Sequence, residues 1–287
     1  MKKTLKNDRF ANGLITPMVL WALTFVGVAL LYIIGLSLMK SDNAMSTTGE
    51  FTFENYQRIL NPSYLRVLLK SLKLALQTTL VCLGIGYPFG YFMARASKRW
   101  RGILMLLVIV PFWTNALIRI YGWKILLGAN GPLNELLLAL GIIQKPLKLL
   151  YTQGAVLLGM VYALIPFMIL TSYTGVEKMD WTVVEAGRDL GASPFIAFIT
   201  LTLPLTLASI MAGCVLVFVP SVGLFFLSDI LGGSKQVLAG NLINDAMKKN
   251  RDLPFASALS VILLAITAGI IALYQKLGGS SDGLTLM

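Results

Sequence analysis

Six long apolar runs constrain what this chain can fold into. They occupy about residues 13–39, 74–94, 102–124, 155–174, 201–227 and 255–274. The hydrocarbon core of a bilayer is about 30 Å thick and needs about 20 apolar residues in helical form. Because lipid offers no hydrogen-bond partners to the backbone, such segments cross as helices. The sequence therefore predicts an all-α, polytopic membrane protein with six transmembrane helices in a single domain, residues 1–287.

Charge supports this class and excludes another. Only 13% of the 287 residues are charged, whereas soluble domains carry about a quarter. The net charge of +11 comes from basic residues at the ends of apolar runs. That pattern suits anionic lipid headgroups of the bilayer, so we expect no nucleic-acid partner. The first run is longer than the apolar region of a signal peptide, about 7–15 residues, and is expected to remain as a span.

Basic residues also indicate the orientation. Their totals on the two sides do not decide it, but their density does. Four lie within the first nine residues and four more within residues 95–101. Short, dense flanks of this kind stay inside during insertion. We expect a multi-pass protein of the bacterial inner membrane with both termini and the loop 175–200 in the cytoplasm.

The residue inventory disfavours a membrane-embedded enzyme. The chain has no histidine, and no Asp or Glu lies in the middle of a run. Cys82 and Cys214 each lie inside an apolar run, as buried free thiols do. A stand-alone channel or secondary transporter remains an alternative of a different class. Secondary transporters usually carry ionisable coupling residues within their spans, which this chain lacks.

Local patterns add detail outside and within the runs. The turn 130–132 precedes leucines at helical spacing, which predicts an amphipathic helix on the outer face within residues 125–150. Gly86 and Gly90 permit close helix contact, although they indicate a dimer only weakly. Prolines inside the runs, including Pro111, suggest kinks.

The loop 175–200 predicts two short helices. Asp180 is suited to cap the first helix, and Gly191 to end it in a left-handed conformation. Ser193 and Pro194 then start a second helix. The first helix has an apolar face and a charged face, formed respectively by Val183, Val184, Gly187 and Leu190 and by Glu185, Arg188 and Asp189.

Acidic residues favour a protein partner for this loop. The alternative is an amphipathic helix that rests on lipid headgroups. Four of the chain's thirteen acids lie here, and negative charge is poorly suited to an anionic membrane surface. A polar helix of this size can instead fit a groove on a soluble protein. The four acids are Glu177, Asp180, Glu185 and Asp189.

The same stretch resembles the EAA signature of ABC-importer permeases. The match comprises residues 185–187, Gly191 and the segment 201–204, with Gly187 where alanine is usual and Leu201 where isoleucine is usual. The resemblance implies the type I permease fold and a cytoplasmic coupling helix seated in an ABC ATPase. The coupling residues it implies are Glu185, Ala186, Gly187, Arg188, Asp189, Gly191, Leu203 and Pro204.

The nucleotide is expected on another subunit. This chain contains no G-x-x-x-x-G-K-[ST] phosphate-binding loop. We therefore expect no cofactor on this chain, with ATP bound by the partner ATPase.

A narrower resemblance covers most of the chain. It is similar to the PotB-type permeases of spermidine/putrescine importers. This implies a second, different permease, an ATPase dimer, an extracytoplasmic solute-binding protein and a polyamine substrate. Sister families import other small solutes, so another small cationic or organic solute remains an alternative. The similar segments are residues 110–122 (VPFWTNALIRIYG), 130–134 (NGPLN), 185–192 (EAGRDLGA) and 223–233 (GLFFLSDILGG).

Carboxylates and aromatic faces are what a polycation needs along its path. Asp229, behind Phe225, is the first candidate, although it can also be an ordinary helix-end carboxylate. The other candidates are Trp113, Asn115 and Tyr121. Aromatic residues here can alternatively belong to an interfacial belt. Arg119 is expected to extend to the outer interface, because a guanidinium repels a polycation.

Overall fold

Helices dominate the computed structural model, which describes residues 15–42, 47–233 and 236–276. The basic N-terminal cluster of the sequence lies outside these residues. In chain order the elements are α1 (Ile15–Ser37), β1 (Met39–Ser41), β2 (Thr47–Phe51), α2 (Glu54–Ile59), α3 (Pro62–Arg95), α4 (Lys98–Ile109), α5 (Ala116–Leu126), α6 (Pro132–Ala139), α7 (Gln153–Glu177), α8 (Trp181–Asp189), α9 (Pro194–Ala197), α10 (Leu203–Gly223), α11 (Ala239–Lys248) and α12 (Leu253–Lys276).

All six predicted spans fall on helices. Five are continuous and long enough to cross a bilayer: α1, α3, α7, α12 and the segment Pro194–Gly223. α3 begins twelve residues before its predicted span, at Pro62. At about 1.5 Å per residue, its 34 residues exceed the hydrocarbon thickness. The predicted helix after the turn 130–132 is α6.

The third span is broken, whereas the sequence predicts one run over 102–124. α4 tightens into a 3₁₀ turn at Val110–Trp113, and α5 then leaves at 94° to it. Pro111 lacks the N–H that a continuing helix would use. Asn115 then caps the next helix, α5, because its side chain accepts a hydrogen bond from Leu117 N–H at 2.8 Å.

The chain divides into two compact units, and the boundaries between them fall within α3, α11 and α12. The first comprises residues 1–64 and 242–265. It contains an antiparallel β1–β2 hairpin that the all-α prediction did not include. Asn55 on α2 donates to the carbonyls of Ser37 and Met39 at 3.1 and 2.9 Å, which fastens α2 to the end of α1.

An ion pair ties two distant segments of this first unit together. Arg58 and Asp252 lie 2.8 Å apart. The Asp252 side chain is only 7% exposed, whereas that of Arg58 is 41% exposed. The Arg58 guanidinium also lies over the Phe255 ring, 4.2 Å from its centroid. Burial of the carboxylate reduces the screening of this pair by water without removing it.

The second unit, residues 65–241 and 266–287, is organised around α7. α10 packs along α7, and α3 contacts α7 at Gly86 and Gly90. A Cβ on Gly90 would lie 2.8 Å from the Ile169 carbonyl oxygen and 2.9 Å from the Ser172 Cβ. These glycines therefore serve a contact within the chain, where two helix backbones approach closely.

We expect Gly90→Ala to destabilise the protein. The new methyl meets backbone atoms that cannot rotate away, and overpacking of this kind costs about 1–3 kcal/mol. The gain in helix propensity, about 1 kcal/mol, offsets only part of it. The thermal unfolding midpoint in lipid nanodiscs measures the difference.

Gly84→Ala is the matched control on the same helix. A Cβ at Gly84 meets no atom within 4 Å, so only the propensity gain remains and the midpoint is expected to rise slightly. Equal midpoints for the two variants would contradict a close α3–α7 contact.

Candidate functional site

α8 begins where the sequence predicts it. The Asp180 carboxylate accepts hydrogen bonds from the backbone N–H and the hydroxyl of Thr182, at 3.0 and 2.7 Å. The Thr182 hydroxyl and N–H together hold the pKa of Asp180 below its usual range. The carboxylate therefore caps the helix in its charged form across the physiological pH range.

The end of α8 is a Schellman turn. Gly191 has φ +93°, in the left-handed region that disfavours side chains. The Gly191 N–H donates to Arg188 O at 2.9 Å, and the Ala192 N–H donates to Gly187 O at 3.1 Å. Ser193 then caps α9 by accepting from Ile196 N–H at 3.3 Å. The predicted bend between two short helices is confirmed.

The charged face of α8 is open to solvent, as predicted. Glu185, Arg188 and Asp189 are all exposed. They border a polar hollow that Gly191, Ala192 and Pro194 complete. Ala186 is also exposed. α8, its two caps and the start of α9 thus form a small, charged bend, which we call the coupling elbow (residues 180–194).

The apolar face differs from the prediction at Val183, which is 41% exposed, and at Leu190. Val184 is buried against Met179 and Ala197, but Leu190 is 90% exposed. Leu190 is the last residue before the left-handed turn, so its side chain leaves the face of the helix. Phe195 and Ile196 on α9 are exposed as well. The sequence analysis placed Leu190 on the apolar face of α8 and did not consider Phe195 or Ile196.

Gly187 and Leu201 are in direct contact. A Cβ on Gly187 would collide with Leu201 Cδ1. These are the two positions where the chain departs from the EAA signature. A smaller residue at one position therefore accommodates a longer side chain at the other, and the departures compensate each other.

Glu177 is exposed as well, but it is paired with a base. Its carboxylate forms an ion pair with Arg101 at 2.5 Å. The remaining two coupling residues lie at the start of α10. Leu203 packs in a cluster with Tyr87, Val176 and Ile210, whereas Pro204 is exposed.

An aromatic cluster joins the coupling elbow to the end of α3. The Arg95 guanidinium lies 5.0 Å from the centre of the Trp181 ring system. The Tyr91 ring lies 6.2 Å from Trp181 and 5.6 Å from Phe198. Tyr87, one turn further in, contacts Phe198 and shares a hydrogen bond of 2.9 Å with the Thr206 hydroxyl. α3 thus contacts Trp181, where α8 begins, and Phe198, which links the coupling elbow to α10.

Phe198 lies in a π-helical turn, Phe198–Thr202, that joins α9 to α10. A π-turn loosens the regular helix ladder and occurs often at functional sites. The sequence analysis had no pattern by which to find it.

The candidate path residues fall into two groups. Trp113 and Asn115 flank the break between α4 and α5 and are exposed. Tyr121 is also exposed and lies under the Lys124 ammonium, 5.5 Å from the ring centroid. Asn115 serves as the α5 cap, so its side chain has a structural role at this position.

Phe225 and Asp229 form the second group. Asp229 lies exposed in the π-turn Ser228–Gly232, where its carboxylate accepts from Asn241 Nδ2 at 2.5 Å. The same amide donates to the Phe225 carbonyl at 3.4 Å. The π-turn packs against α7 and against α5, the helix that carries Tyr121. Asn241 is the additional residue that the sequence analysis missed.

Arg119 makes contacts within the chain that the sequence analysis did not predict. Its guanidinium lies over the rings of Phe112 and Tyr162, with 5.1 and 5.8 Å to the centroids. Its Nε is buried and has no hydrogen-bond partner. The break in the third span turns this side chain toward α7.

Comparison with known proteins identifies relatives of the whole chain. Residues 86–278 match the family described as "Binding-protein-dependent transport system inner membrane component". The spermidine/putrescine transport system permease protein PotB of Salmonella typhimurium is 46% identical over 96% of this chain and 95% of its own length. The PotB of Escherichia coli K12 is also 46% identical, over 92% of this chain and 96% of its own length.

A solved structure shares the fold. A bacterial alginate ABC transporter, crystallised with an alginate pentasaccharide-bound periplasmic protein, contains a chain that aligns with a TM-score of 0.74. The alignment covers 99% of this chain and 98% of that chain at 14% identity. At this identity the likeness concerns the fold alone, and it confirms the predicted permease architecture.

The Gly187–Leu201 contact predicts coupled substitutions. Gly187→Ala alone gains about 1 kcal/mol of helix propensity but forces Leu201 to move, at a cost of about 1–3 kcal/mol. We expect faster hydrogen exchange of the α8 amides in Gly187→Ala than in the wild type. The double variant Gly187→Ala/Leu201→Ile keeps the gain in helix propensity. Isoleucine at position 201 places its bulk nearer its own backbone and leaves room for the alanine methyl, so we expect the α8 amides to exchange more slowly than in the wild type. Slower exchange in Gly187→Ala alone would show that the two positions are independent.

Proposed function

The chain belongs to the binding-protein-dependent transport system inner membrane components and, among them, to the PotB-type permeases, and from this premise we propose that it forms, with a second permease, the path for polyamines in an ATP-driven importer. It is a transport permease of the inner membrane. The similarity of 46% over nearly the whole chain carries the proposal. Spermidine and putrescine are the substrates in the names of those relatives.

The coupling elbow supports an ATPase as partner. Its charged face is exposed, it is capped at both ends, and exposed Leu190 and Phe195 lie beside the charges. Apolar side chains beside a rim of polar and charged ones are the usual composition of a protein-docking surface. We assign it to a groove on one ABC ATPase of a dimer, and these ATPases would bind the ATP. Both chain ends and this elbow then lie in the cytoplasm.

Transmission from the elbow runs through α3. Trp181 begins α8, and Arg95 and Tyr91 hold it against the end of the long span. Phe198 connects the same aromatic cluster to the start of α10. A displacement of the elbow by the ATPases would therefore move α3 and α10 together, because packed side chains transmit strain with little compression.

Asp229 is the proposed polar contact along the path. Its carboxylate is exposed, and the Asn241 amide fixes its position. An ammonium group can bind a fixed carboxylate without reorganising it. Phe225, Trp113 and Tyr121 would provide aromatic faces nearby. An extracytoplasmic solute-binding protein would deliver the substrate to this side.

Uptake by the complete system tests the proposal. The chain, expressed with its second permease, ATPase and solute-binding protein in cells that lack polyamine importers, is expected to restore ATP-dependent uptake of radiolabelled spermidine or putrescine. Glu185→Lys reverses a charge on the docking face and is expected to reduce uptake at least tenfold at an unchanged membrane level. Glu135→Lys, an exposed acid on α6, is the control and should transport normally.

Each failure points to a different alternative. Uptake of another solute, but of no polyamine, would retain the importer and replace the substrate. Conduction by the purified chain without an ATPase would support a channel or secondary transporter. Normal uptake by Glu185→Lys would remove the coupling role of α8.

The aromatic cluster predicts an uncoupled variant. Trp181→Leu keeps an apolar side chain at the start of α8 but loses the ring that Arg95 and Tyr91 contact. We expect the reconstituted complex to retain most of its ATP hydrolysis while uptake per ATP falls severalfold. As a control, Trp100→Leu removes an exposed tryptophan near the start of α4 and is expected to leave the uptake per ATP unchanged. If hydrolysis and uptake fell in parallel in Trp181→Leu, the cluster would serve stability only.

A further inference from the structure

Arg119 is an isolated cation in an apolar region of the chain. It lies within the run 102–124, where a charged side chain costs at least a few kcal/mol. In the described parts of the chain, no carboxylate forms an ion pair with it. Its Nε is buried without a hydrogen-bond partner. Ring faces, rather than an anion, therefore hold this guanidinium.

Two aromatic rings provide that support. The guanidinium carbon lies 5.1 Å from the centroid of Phe112 and 5.8 Å from that of Tyr162. Both distances fall within the range of about 6 Å at which a ring attracts a cation. Phe112 is itself fixed by an edge-to-face contact with Phe167 at 5.6 Å. The rings are thus positioned to hold one cation at this point.

An apolar groove adjoins Tyr162, one of these two rings. Trp123 stands edge to face on Tyr162 at 5.4 Å, and both line an open groove of about 410 Å³. Its other walls are aliphatic and include Val81, Leu157, Val161 and Ile165. Aromatic faces suit ammonium groups, and aliphatic walls suit the methylene chains between them. That combination matches an alkylammonium ligand.

We propose that Phe112, Tyr162 and Trp123 form a binding site for an ammonium group of the transported polyamine, and that Arg119 occupies this site when substrate is absent. The inference rests on the proposed function. Two cations do not share the rings, because like charges repel in a medium of low dielectric constant. Substrate therefore binds only by displacing a tethered competitor. Binding in the membrane is consequently weak, which allows release to the cytoplasm.

Equilibrium binding of radiolabelled spermidine tests this competition. The assay uses the purified permease–ATPase complex in nanodiscs, without the solute-binding protein. We expect Arg119→Gln to bind spermidine about tenfold more tightly than the wild type, the size of one cation–π contact. Adding Tyr162→Leu to Arg119→Gln is expected to cancel the gain. Arg119→Lys keeps a cation over the rings and is expected to bind as weakly as the wild type.

Lys145→Gln is the control. It removes an exposed cation from the segment between α6 and α7 and is expected to leave spermidine affinity unchanged. Equal affinity of Arg119→Gln and the wild type would overturn the proposal, as would a similar gain in Arg119→Lys. Loss of the second permease from the Arg119→Gln complex alone would also overturn it, in favour of a subunit-interface role.

A second variant keeps the proposal testable should Arg119→Gln not fold. Tyr162→Leu is expected to raise the KM of spermidine uptake severalfold while ATP hydrolysis is maintained, and an unchanged KM would overturn the site. Wild-type uptake is measured in parallel. Its absence would refute the proposed function, whereas normal wild-type uptake with unchanged Arg119→Gln binding would refute this site alone.

Discussion

The close contact of α3 with α7 is the interaction on which the second unit depends. At Gly90 the two helices approach so closely that a single methyl group would meet backbone atoms of α7. α7 carries Tyr162 near its middle and leads directly into the coupling elbow. α3 carries Tyr87, Tyr91 and Arg95 beneath that elbow. The same helix pair therefore determines the position of the elbow and of the Tyr162 ring.

Features set by local chemistry could be predicted from the sequence. The apolar runs predicted the spans, since length and hydropathy decide whether a segment crosses lipid. Asp180, Gly191 and Ser193 predicted the caps of α8 and α9, because each uses hydrogen bonds within a few residues of its own position. The motif residues were found for the same reason: they lie in one short, continuous stretch.

Features set by distant packing could not be predicted. Pro111 suggested a kink, but the 94° break also needs Asn115 to cap the next helix. Leu190 fits the apolar periodicity of α8 but is 90% exposed, whereas Val184 on the same helix is buried against Met179 and Ala197. The orientation of Arg119 depends on rings from α4 and α7 that only the fold brings together.

A path that carries a polycation must balance entry against release. Binding has to be favourable enough for the substrate to enter and weak enough for it to leave. Several acids inside the membrane would hold a polyamine tightly, and each would be costly when empty. Asp229 is exposed in a turn rather than buried in a span, and a resident guanidinium covers the rings of Phe112 and Tyr162. Weak attraction of this kind leaves selection to the protein that delivers the substrate, and leaves direction to the ATPases that move the elbow.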